Sequence, residues 1–292
     1  MNILVCGASG FVGRHLLAGL QAAGHHCVRG VRRPRRSDDV AVDYLQDVTV
    51  AQWLPKLQGI DVVINAIGIL RDSRAQPMQK VLAAAPAALF MACAQAGVQR
   101  IVNISALGVE GPLLTPYFQR RREAEATLFA LPAPLRWLNV RPSVIYGEDG
   151  ASARMFRLLA ALPLQALPMG GGQRLQPVHI DDVVGAVVRW LADADATSQS
   201  VNAAGADATT MRGMLDSYRL QSGRAQAWHL AVPGVLIRLG AWLGDRVPFS
   251  PLCTDTLTML NAGNTGDNQA FAKLLGRPPL SYQHFISARQ AD

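Results

Sequence analysis

The chain has 292 residues and a formal net charge of +7, because 28 Lys and Arg residues outnumber 21 Asp and Glu residues. Hydrophobic residues make up 50% of the chain and charged residues 17%, a composition that can bury a large core and excludes a chain disordered throughout. The basic residues, nearly all arginines, are concentrated in 29–36 and 120–122. No basic–aromatic interleaving accompanies them, so we expect no nucleic-acid partner.

The four cysteines show no C-x-x-C pair, and the histidines show no metal-ligand spacing. We therefore expect reduced, buried thiols and no metal site. The chain enters a strand-like run at once, without a basic leader, so we expect no targeting peptide and a cytoplasmic location. One uncharged run, 81–98, approaches the length of a membrane span. It is dominated by alanine and contains Pro86, so we interpret it as a buried crossover helix.

Strand-like and helix-like segments alternate along the first half of the chain. The pattern predicts strands at 2–6, 27–31, 61–68, 100–105 and 136–141, with helices between residue 11 and Gly24 and at 52–58, 78–96 and 116–130. This alternation is typical of an α/β fold in which a doubly wound parallel sheet, the Rossmann fold, is covered by helices on both faces.

The second half is less regular. Helix-like and glycine-rich pieces occupy 151–175, a short extended segment follows at 176–180, and Asp181 is predicted to cap a helix ending near Leu191. Further helices with Pro and Gly breaks begin near residue 207. We therefore predict a dinucleotide-binding core at 1–150 and a mixed C-terminal part at 151–292. In that part, 176–205 returns to the core and the remainder forms a small substrate lobe.

A glycine motif of the form G-x-x-G-x-x-G follows the first strand and opens the first helix. Gly7 is predicted to make the tight turn, Gly10 to let the backbone approach a pyrophosphate, and Gly13 to let the helix pack against the strand. The free N–H groups of the helix N-terminus favour phosphate there. The residues assigned to this contact are Gly7, Ser9, Gly10, Phe11, Val12 and Gly13.

The end of the second strand selects between the two nicotinamide dinucleotides. NAD-binding proteins usually carry an Asp or Glu there, to hold the adenosine ribose. Here the sequence is Gly30-Val31-Arg32-Arg33, and the first acid downstream is Asp38. Arg32 and Arg33 can pair with a 2′-phosphate, which favours NADP over NAD. A solvated basic loop is the alternative interpretation.

Several motifs together resemble short-chain dehydrogenase/reductases of the atypical and extended kind, which include the NAD-dependent epimerase/dehydratase-like proteins. The motifs are Gly7 to Gly13, Asp47-Val48, Asn65 to Leu70, Ile104 to Leu107, Arg141 to Gly147 and Gln176 to Asp182. The nearest resemblance is to the nucleotide-binding accessory subunit of respiratory complex I and its bacterial relatives. This resemblance implies the following cofactor contacts: Asp47 and Val48 at the adenine, Ala66, Ile67 and Gly68 at the adenosine ribose, and Pro142 and Val144 at the nicotinamide.

Active members of the family resembled use a Tyr-x-x-x-Lys pair on a helix. Here Tyr117 follows a predicted N-cap at Thr115, and Arg121 stands four residues later in place of Lys. Ser105 matches the family's substrate-polarising hydroxyl. Arginine keeps a positive charge beside Tyr117 but does not readily release a proton. Two hypotheses follow: a specialised oxidoreductase or epimerase-like enzyme acting on a carbonyl or alcohol, or an accessory protein that binds NADP without turnover.

The stretch from Leu230 to Leu243 is amphipathic and carries few charges. A lipid-like substrate, a membrane surface or a protein partner could contact it. We favour packing in the core of the C-terminal lobe. The small-molecule substrate and the oligomeric state are not predicted.

Overall fold

The computed structural model describes residues 1–113, 115–247, 250 and 252–286. The chain forms two compact units. The first comprises Met1–Pro142 and Val183–Asn202, and the second comprises Ser143–Asp182 and Ala203–Asp292. The last strand in the continuous part of the first unit ends at Pro142, and Ser143 N donates to Ala203 O within the second unit. The predicted division at residue 150, with 176–205 returning to the core, stays a prediction.

The first unit is built on a seven-stranded sheet. Its strands are β1 (Asn2–Cys6), β2 (His26–Val31), β3 (Asp39–Ala41), β4 (Val62–Asn65), β5 (Arg100–Ile104), β6 (Arg136–Pro142) and β11 (Gln199–Ala203). Their order is β11-β6-β5-β4-β1-β2-β3, and the pairings from β3 to β6 are parallel. The order reverses between β1 and β4, as a doubly wound sheet requires. The predicted fold class is confirmed, although β3 was not predicted and β4 is shorter than 61–68.

The helices of this part are α1 (Phe11–Ala22), α2 (Val50–Trp53), α3 (Ala85–Ala96), α4 (Pro116–Phe129) and α6 (Ile180–Ala192), with a 3-10 turn at Leu54–Leu57. The predicted helix 78–96 begins as a π-helical segment, Gln79–Ala84. Pro86 has no N–H to close an α-helical bond, which fits a wider turn before it. The α3 residues are mostly buried, as predicted, and no described helix is long and apolar enough to cross a membrane.

The second unit holds short strands and further helices. Its strands are β7 (Ile145–Tyr146), β8 (Leu164–Pro168), β9 (Arg174–Leu175), β10 (Val178–His179), β12 (Thr209–Thr210) and β13 (Trp228–Val232). Its helices are α5 (Ala151–Ala161), α7 (Met211–Gln221), α8 (Gly234–Gly244), α9 (Thr254–Ala262) and α10 (Gln269–Leu275), with 3-10 turns at Met169–Gly171 and Tyr282–His284. A cluster around Tyr146, Met214 and Phe285 forms its core.

The predicted cap of α6 is wrong. The helix begins at Ile180, so Asp181 and Asp182 both lie in its first turn. Asp182 is fully buried, accepts a bond from Arg277 Nη2 at 2.5 Å and another from Leu280 N at 2.7 Å. These two contacts attach the segment near Leu280 to the start of α6.

Candidate dinucleotide site

The glycine motif folds into a tight loop between β1 and α1. Gly7 has φ +84°, a left-handed conformation that favours glycine. A Cβ on Gly13 would lie 2.0 Å from Gly7 O, so only glycine lets the helix approach the loop this closely. Gly10 N donates to Gly7 O at 2.8 Å, and Gly10 is the N-cap of α1. Phe11 and Val12 open the helix, whose first turn carries no acid. The N-terminus therefore presents backbone N–H groups suited to an anion.

A cavity of about 220 Å³ lies against this loop. Seven of the residues predicted to contact the cofactor line it: Gly7, Ser9, Gly10, Arg32, Ala66, Ile67 and Gly68. Its wall also includes residues that were not predicted, among them Gly30, Asp43, Tyr44 and Leu45. We call the loop from Gly7 to Gly13 the glycine cradle. A Cβ on Gly7 would lie 2.8 Å from Ile67 Cγ1 and would fill the space that the glycine leaves open. The described geometry thus fits a dinucleotide laid across the carboxyl ends of β1 and β4.

A second, basic cavity of about 830 Å³ shares Ser9, Arg32 and Asp43 with the first. Five arginines line it: Arg29, Arg32, Arg33, Arg35 and Arg36. Its acid Asp39 is already engaged, since its carboxylate accepts from Arg35 N at 2.7 Å and pairs with Arg29 at 3.3 Å. The hydrogen bond from Arg35 N is the main cause that lowers the pKa of Asp39. Arg32 and Arg33 are exposed.

An ion pair of Asp47 stabilises the loop after β3. Asp47 is buried. Its carboxylate forms an ion pair with Lys56 at 2.5 Å and accepts a hydrogen bond from Asp43 N at 2.8 Å. This ion pair holds the loop after β3, and the same loop presents Asp43 to Leu45 at the cavity wall instead. The adenine contact assigned to Asp47 and Val48 stays a prediction.

Tyr117 and Arg121 lie on one face of α4, as predicted. Thr115 Oγ1 accepts from Phe118 N and caps the helix. The Arg121 guanidinium lies 5.4 Å from the centroid of the Tyr117 ring, a cation–π contact. Its Nη1 donates to Ile104 O at 2.7 Å, and its Nη2 lies 2.7 Å from the position that a Cβ on Gly68 would occupy. Arg121 therefore connects the tyrosine to the wall of the dinucleotide cavity.

Ser105 follows β5 directly, one residue after the carbonyl that Arg121 contacts. It is buried, and its Oγ makes no hydrogen bond of ordinary geometry within the described residues. The hydroxyl nevertheless lies close enough to the carboxylate of Glu125 to act on that group's pKa. Glu125 is four residues beyond Arg121, so Tyr117, Arg121 and Glu125 form one buried line along α4.

A chain of buried amides crosses the sheet beside this line. Asn65, Asn103 and Asn139 are in register on β4, β5 and β6. Asn65 Nδ2 donates to Asn103 Oδ1, and Asn103 Nδ2 donates to Asn139 Oδ1, each at 2.8 Å. Tyr44 Oη donates to Asn65 Oδ1 at one end, and Asn139 Nδ2 donates to Glu125 Oε1 at the other. We call these five residues the polar ladder. Sequence reasoning missed it, and the only signal was an Asn on each of three consecutive strands.

Glu125 ends the polar ladder in a bidentate ion pair. Arg141 Nε and Nη2 donate to its two carboxylate oxygens at 3.0 and 2.6 Å. Both side chains are buried, and Arg141 also contacts the exposed Glu110. Burial raises the pKa of Glu125, while Ser105, Asn139 and nearby arginines act in the opposite direction. Burial likewise lowers the pKa of Arg141.

The two residues assigned to the nicotinamide lie in different units. Pro142 is the last residue of β6, and its carbonyl accepts from Leu107 N at 2.9 Å. Val144 belongs to the second unit, where its N–H donates to Asn264 Oδ1 at 2.8 Å. Both assignments stay predictions.

A parallel doubly wound sheet with a glycine cradle and an adjoining basic cavity defines a protein that binds a dinucleotide. Residues 7–161 match the NAD(P)H-binding family, and the chain belongs to that family.

Named proteins similar to the chain include enzymes and a respiratory subunit. A ceramide reductase of Caulobacter vibrioides is 28% identical over 64% of this chain and 60% of its own length. The mitochondrial NADH dehydrogenase [ubiquinone] 1 alpha subcomplex subunit 9 of Mus musculus is 26% identical over 67% of this chain and 54% of its own length. The chain therefore spans little more than half the length of these two relatives.

A solved structure resembles the whole chain. UDP-glucuronic acid 4-epimerase from Bacillus cereus, in complex with UDP-glucuronic acid and NAD, superposes with a TM-score of 0.72. The match covers 100% of this chain and 98% of the epimerase at 20% identity, which establishes a shared fold.

Proposed function

We propose that this NAD(P)-binding protein prefers NADP. The basic cavity is the observation that carries the proposal, because it places Arg32 and Arg33 directly after β2, where an acid would hold the ribose of NAD. The nearby acids are engaged elsewhere: Asp39 pairs with Arg29, and Asp43 Oδ1 accepts from Leu45 N at 3.0 Å. Guanidinium groups match the geometry of a phosphate dianion.

Calorimetric titration of the purified protein with NADPH and, separately, with NADH measures the two affinities and tests the cofactor preference. Replacing Arg32 and Arg33 together by Ala should weaken NADPH binding by at least about 100-fold, since each charge-assisted hydrogen bond contributes about 1.5–3 kcal/mol. The affinity for NADH should change by less than about threefold. Arg189→Ala, which removes an exposed arginine from α6, is the matched control and should change neither. Equal affinity of the unaltered protein for NADH and NADPH would contradict the proposal.

We further propose that the protein is an oxidoreductase acting on a carbonyl or alcohol. When bound, NADPH would supply the hydride for a carbonyl carbon. The Tyr117 hydroxyl donates the proton that the carbonyl oxygen then requires, and the Ser105 hydroxyl polarises that oxygen. Arg121 holds positive charge beside Tyr117 and faces the cofactor cavity at Gly68. The similarity to a ceramide reductase supports a reductase.

Single-turnover oxidation of bound NADPH across a panel of carbonyl compounds tests this activity. Tyr117→Phe should abolish turnover while leaving NADPH affinity within about threefold, since general acid catalysis contributes about 10²–10⁴-fold. Arg121→Lys should retain turnover, because an ammonium preserves the charge next to Tyr117. Turnover that survives Tyr117→Phe unchanged would remove the tyrosine from the mechanism.

One observation favours a second function, that of a cofactor-bound accessory protein without turnover. Arg121 is buried and bonded to the Ile104 carbonyl, so it already has a structural role. The similarity to a subunit of mitochondrial NADH dehydrogenase points the same way. Tight NADPH binding with no oxidation by any carbonyl, together with a large loss of stability in Arg121→Ala, would support this function over the oxidoreductase.

We place the protein in a reducing compartment, the cytoplasm. All four cysteines are free and buried, which fits a chain that is never oxidised to form disulfides. Thiol titration of the protein purified without reductant and then unfolded should detect all four thiols.

A further inference from the structure

Helix α8 exposes its large apolar side chains instead of burying them. Between 51 and 65% of each of Val235, Leu236, Leu239, Trp242 and Leu243 is exposed. Their spacing puts all five on one face of the helix. We call this face the α8 stripe. Core packing, the interpretation that the sequence favoured, is wrong for these residues, because the exposed face carries the long side chains.

The opposite face of α8 carries small residues and makes the contact with the rest of the unit. A Cβ on Gly244 would lie 1.9 Å from Leu252 O, and one on Gly240 would lie 3.5 Å from Leu252 Cδ2. Ala241 is buried. The close approach that these residues allow leaves no room to rotate the long side chains inward. The outward orientation of the α8 stripe is therefore fixed by packing.

Cations border the α8 stripe. Arg238 and Arg246 are both exposed and lie four residues before and after Trp242. The Arg246 guanidinium lies 3.7 Å from the centroid of the Trp242 ring. No acid occurs within α8, and Asp245, which follows it, accepts from Thr254 N and Oγ1 at 2.9 and 2.6 Å. The stripe thus combines apolar side chains, an amphipathic indole and positive charge.

This combination is complementary to an anionic phospholipid surface. An amphipathic helix binds such a surface by burying its apolar face at the boundary between headgroups and acyl chains, while its cations contact the anionic headgroups. A second copy of the chain is a poorer match, since a two-fold contact would bring Arg238 and Arg246 of both copies together, and α8 itself carries no acid to pair them.

Two other parts of the same unit also expose large apolar side chains. Trp228 is 80% exposed and Leu230 is 55% exposed. Both lie on β13, and Pro233 connects this strand to α8. Leu158, 69% exposed, borders a groove of about 340 Å³ that also includes Arg154, Arg157 and Arg224. We propose that the second unit docks peripherally on anionic membranes through the α8 stripe.

Vesicle sedimentation with the full chain tests the proposal. The protein should sediment with phosphatidylcholine vesicles containing 30 mol% phosphatidylserine, and at least about tenfold less with pure phosphatidylcholine, because each arginine near an anionic surface contributes about fivefold. Leu239→Glu should lower the partition coefficient by at least about tenfold. Replacing Arg238 and Arg246 by Gln should lower it by about 25-fold on anionic vesicles only.

Leu220→Glu is the matched control, because Leu220 is 64% exposed on α7 of the same unit. This variant should bind vesicles like the unaltered protein. Unchanged far-UV circular dichroism and an unchanged urea unfolding midpoint in all variants show that they fold, independently of any catalytic activity. Absence of sedimentation with anionic vesicles, or equal losses in Leu239→Glu and Leu220→Glu, overturns the proposal. A dimer mass in light scattering that Leu239→Glu abolishes would assign the α8 stripe to a second copy instead.

Discussion

The two compact units differ in the buried polar network that the first contains and the exposed apolar face that the second carries. The first unit buries amides and charges, and the polar ladder with Arg141 satisfies them through direct hydrogen bonds. The second unit exposes long apolar side chains, most densely on the α8 stripe. A fully bonded buried network specifies one strand register and a rigid site. An exposed apolar face is typical of a surface that meets another phase or partner. The difference sets the unit that holds the glycine cradle apart from the unit that carries the α8 stripe.

The largest effect is expected from a substitution that breaks the polar ladder at its charged end. Arg141→Met leaves the Glu125 carboxylate buried without its counter-charge, so the free energy of unfolding in urea should fall by about 3–5 kcal/mol. Replacing Glu125 by Leu as well should recover part of that loss, because no isolated charge remains. Arg189→Met, at an exposed position, is the control and should cost less than about 0.5 kcal/mol. Additive losses in the double variant would show that the pair does not act as a unit.

A smaller effect is expected at the glycine cradle. In Gly13→Ala the new methyl meets the Gly7 carbonyl, and overpacking of this kind costs about 1–3 kcal/mol. Because the displaced loop also lines the dinucleotide cavity, NADPH affinity should fall by more than tenfold. Ala18→Gly, at an exposed position of α1, should cost about 1 kcal/mol through helix propensity and leave the affinity unchanged. Urea unfolding of the two variants measures the loss of stability, and calorimetric titration with NADPH measures the affinity.

The cradle was predictable from sequence, and the polar ladder was not. Three glycines at this spacing after a strand leave one local solution, so Gly7 and Gly13 could be assigned without tertiary information. The ladder depends on the register of β4, β5 and β6, and its amides are separated by 38 and 36 residues. No local pattern fixes such a register. The prediction that α8 packs in the core was wrong for a related reason. Amphipathicity reveals that a helix has an apolar face but not whether that face points into the core or to the surface.

The buried groups of the first unit should make stability fall at alkaline pH. Burial raises the pKa of Cys6 to about 12, and it also raises the pKa of Tyr44 and Cys93 well above their ordinary values. In each case the unfolded chain loses its proton first. The free energy of unfolding is therefore at its full value below about pH 9 and decreases as pH rises towards 12. Each group contributes up to about 1.4 kcal/mol per pH unit.

Cys6→Ala should reduce this alkaline slope, measured by urea unfolding between pH 8.5 and 11. Val5→Ala, also fully buried on β1, should lower stability equally at every pH and leave the slope unchanged. The same slope in Cys6→Ala and the unaltered protein would show that this thiol is not protected by the fold.

The smallest expected effect tests the second unit directly. Leu239→Ala removes a large apolar side chain that is half exposed, so its loss leaves no cavity, and the free energy of unfolding should change by less than about 0.5 kcal/mol. Leu89→Ala on α3, where the side chain is fully buried, should cost about 2–5 kcal/mol under the same conditions. Comparable losses in the two variants would mean that the α8 stripe is covered within the fold, and the contrast between the units would disappear. A near-zero value for Leu239→Ala, combined with the loss of vesicle binding in Leu239→Glu, would instead separate the contribution of the stripe to a contact from any contribution to folding.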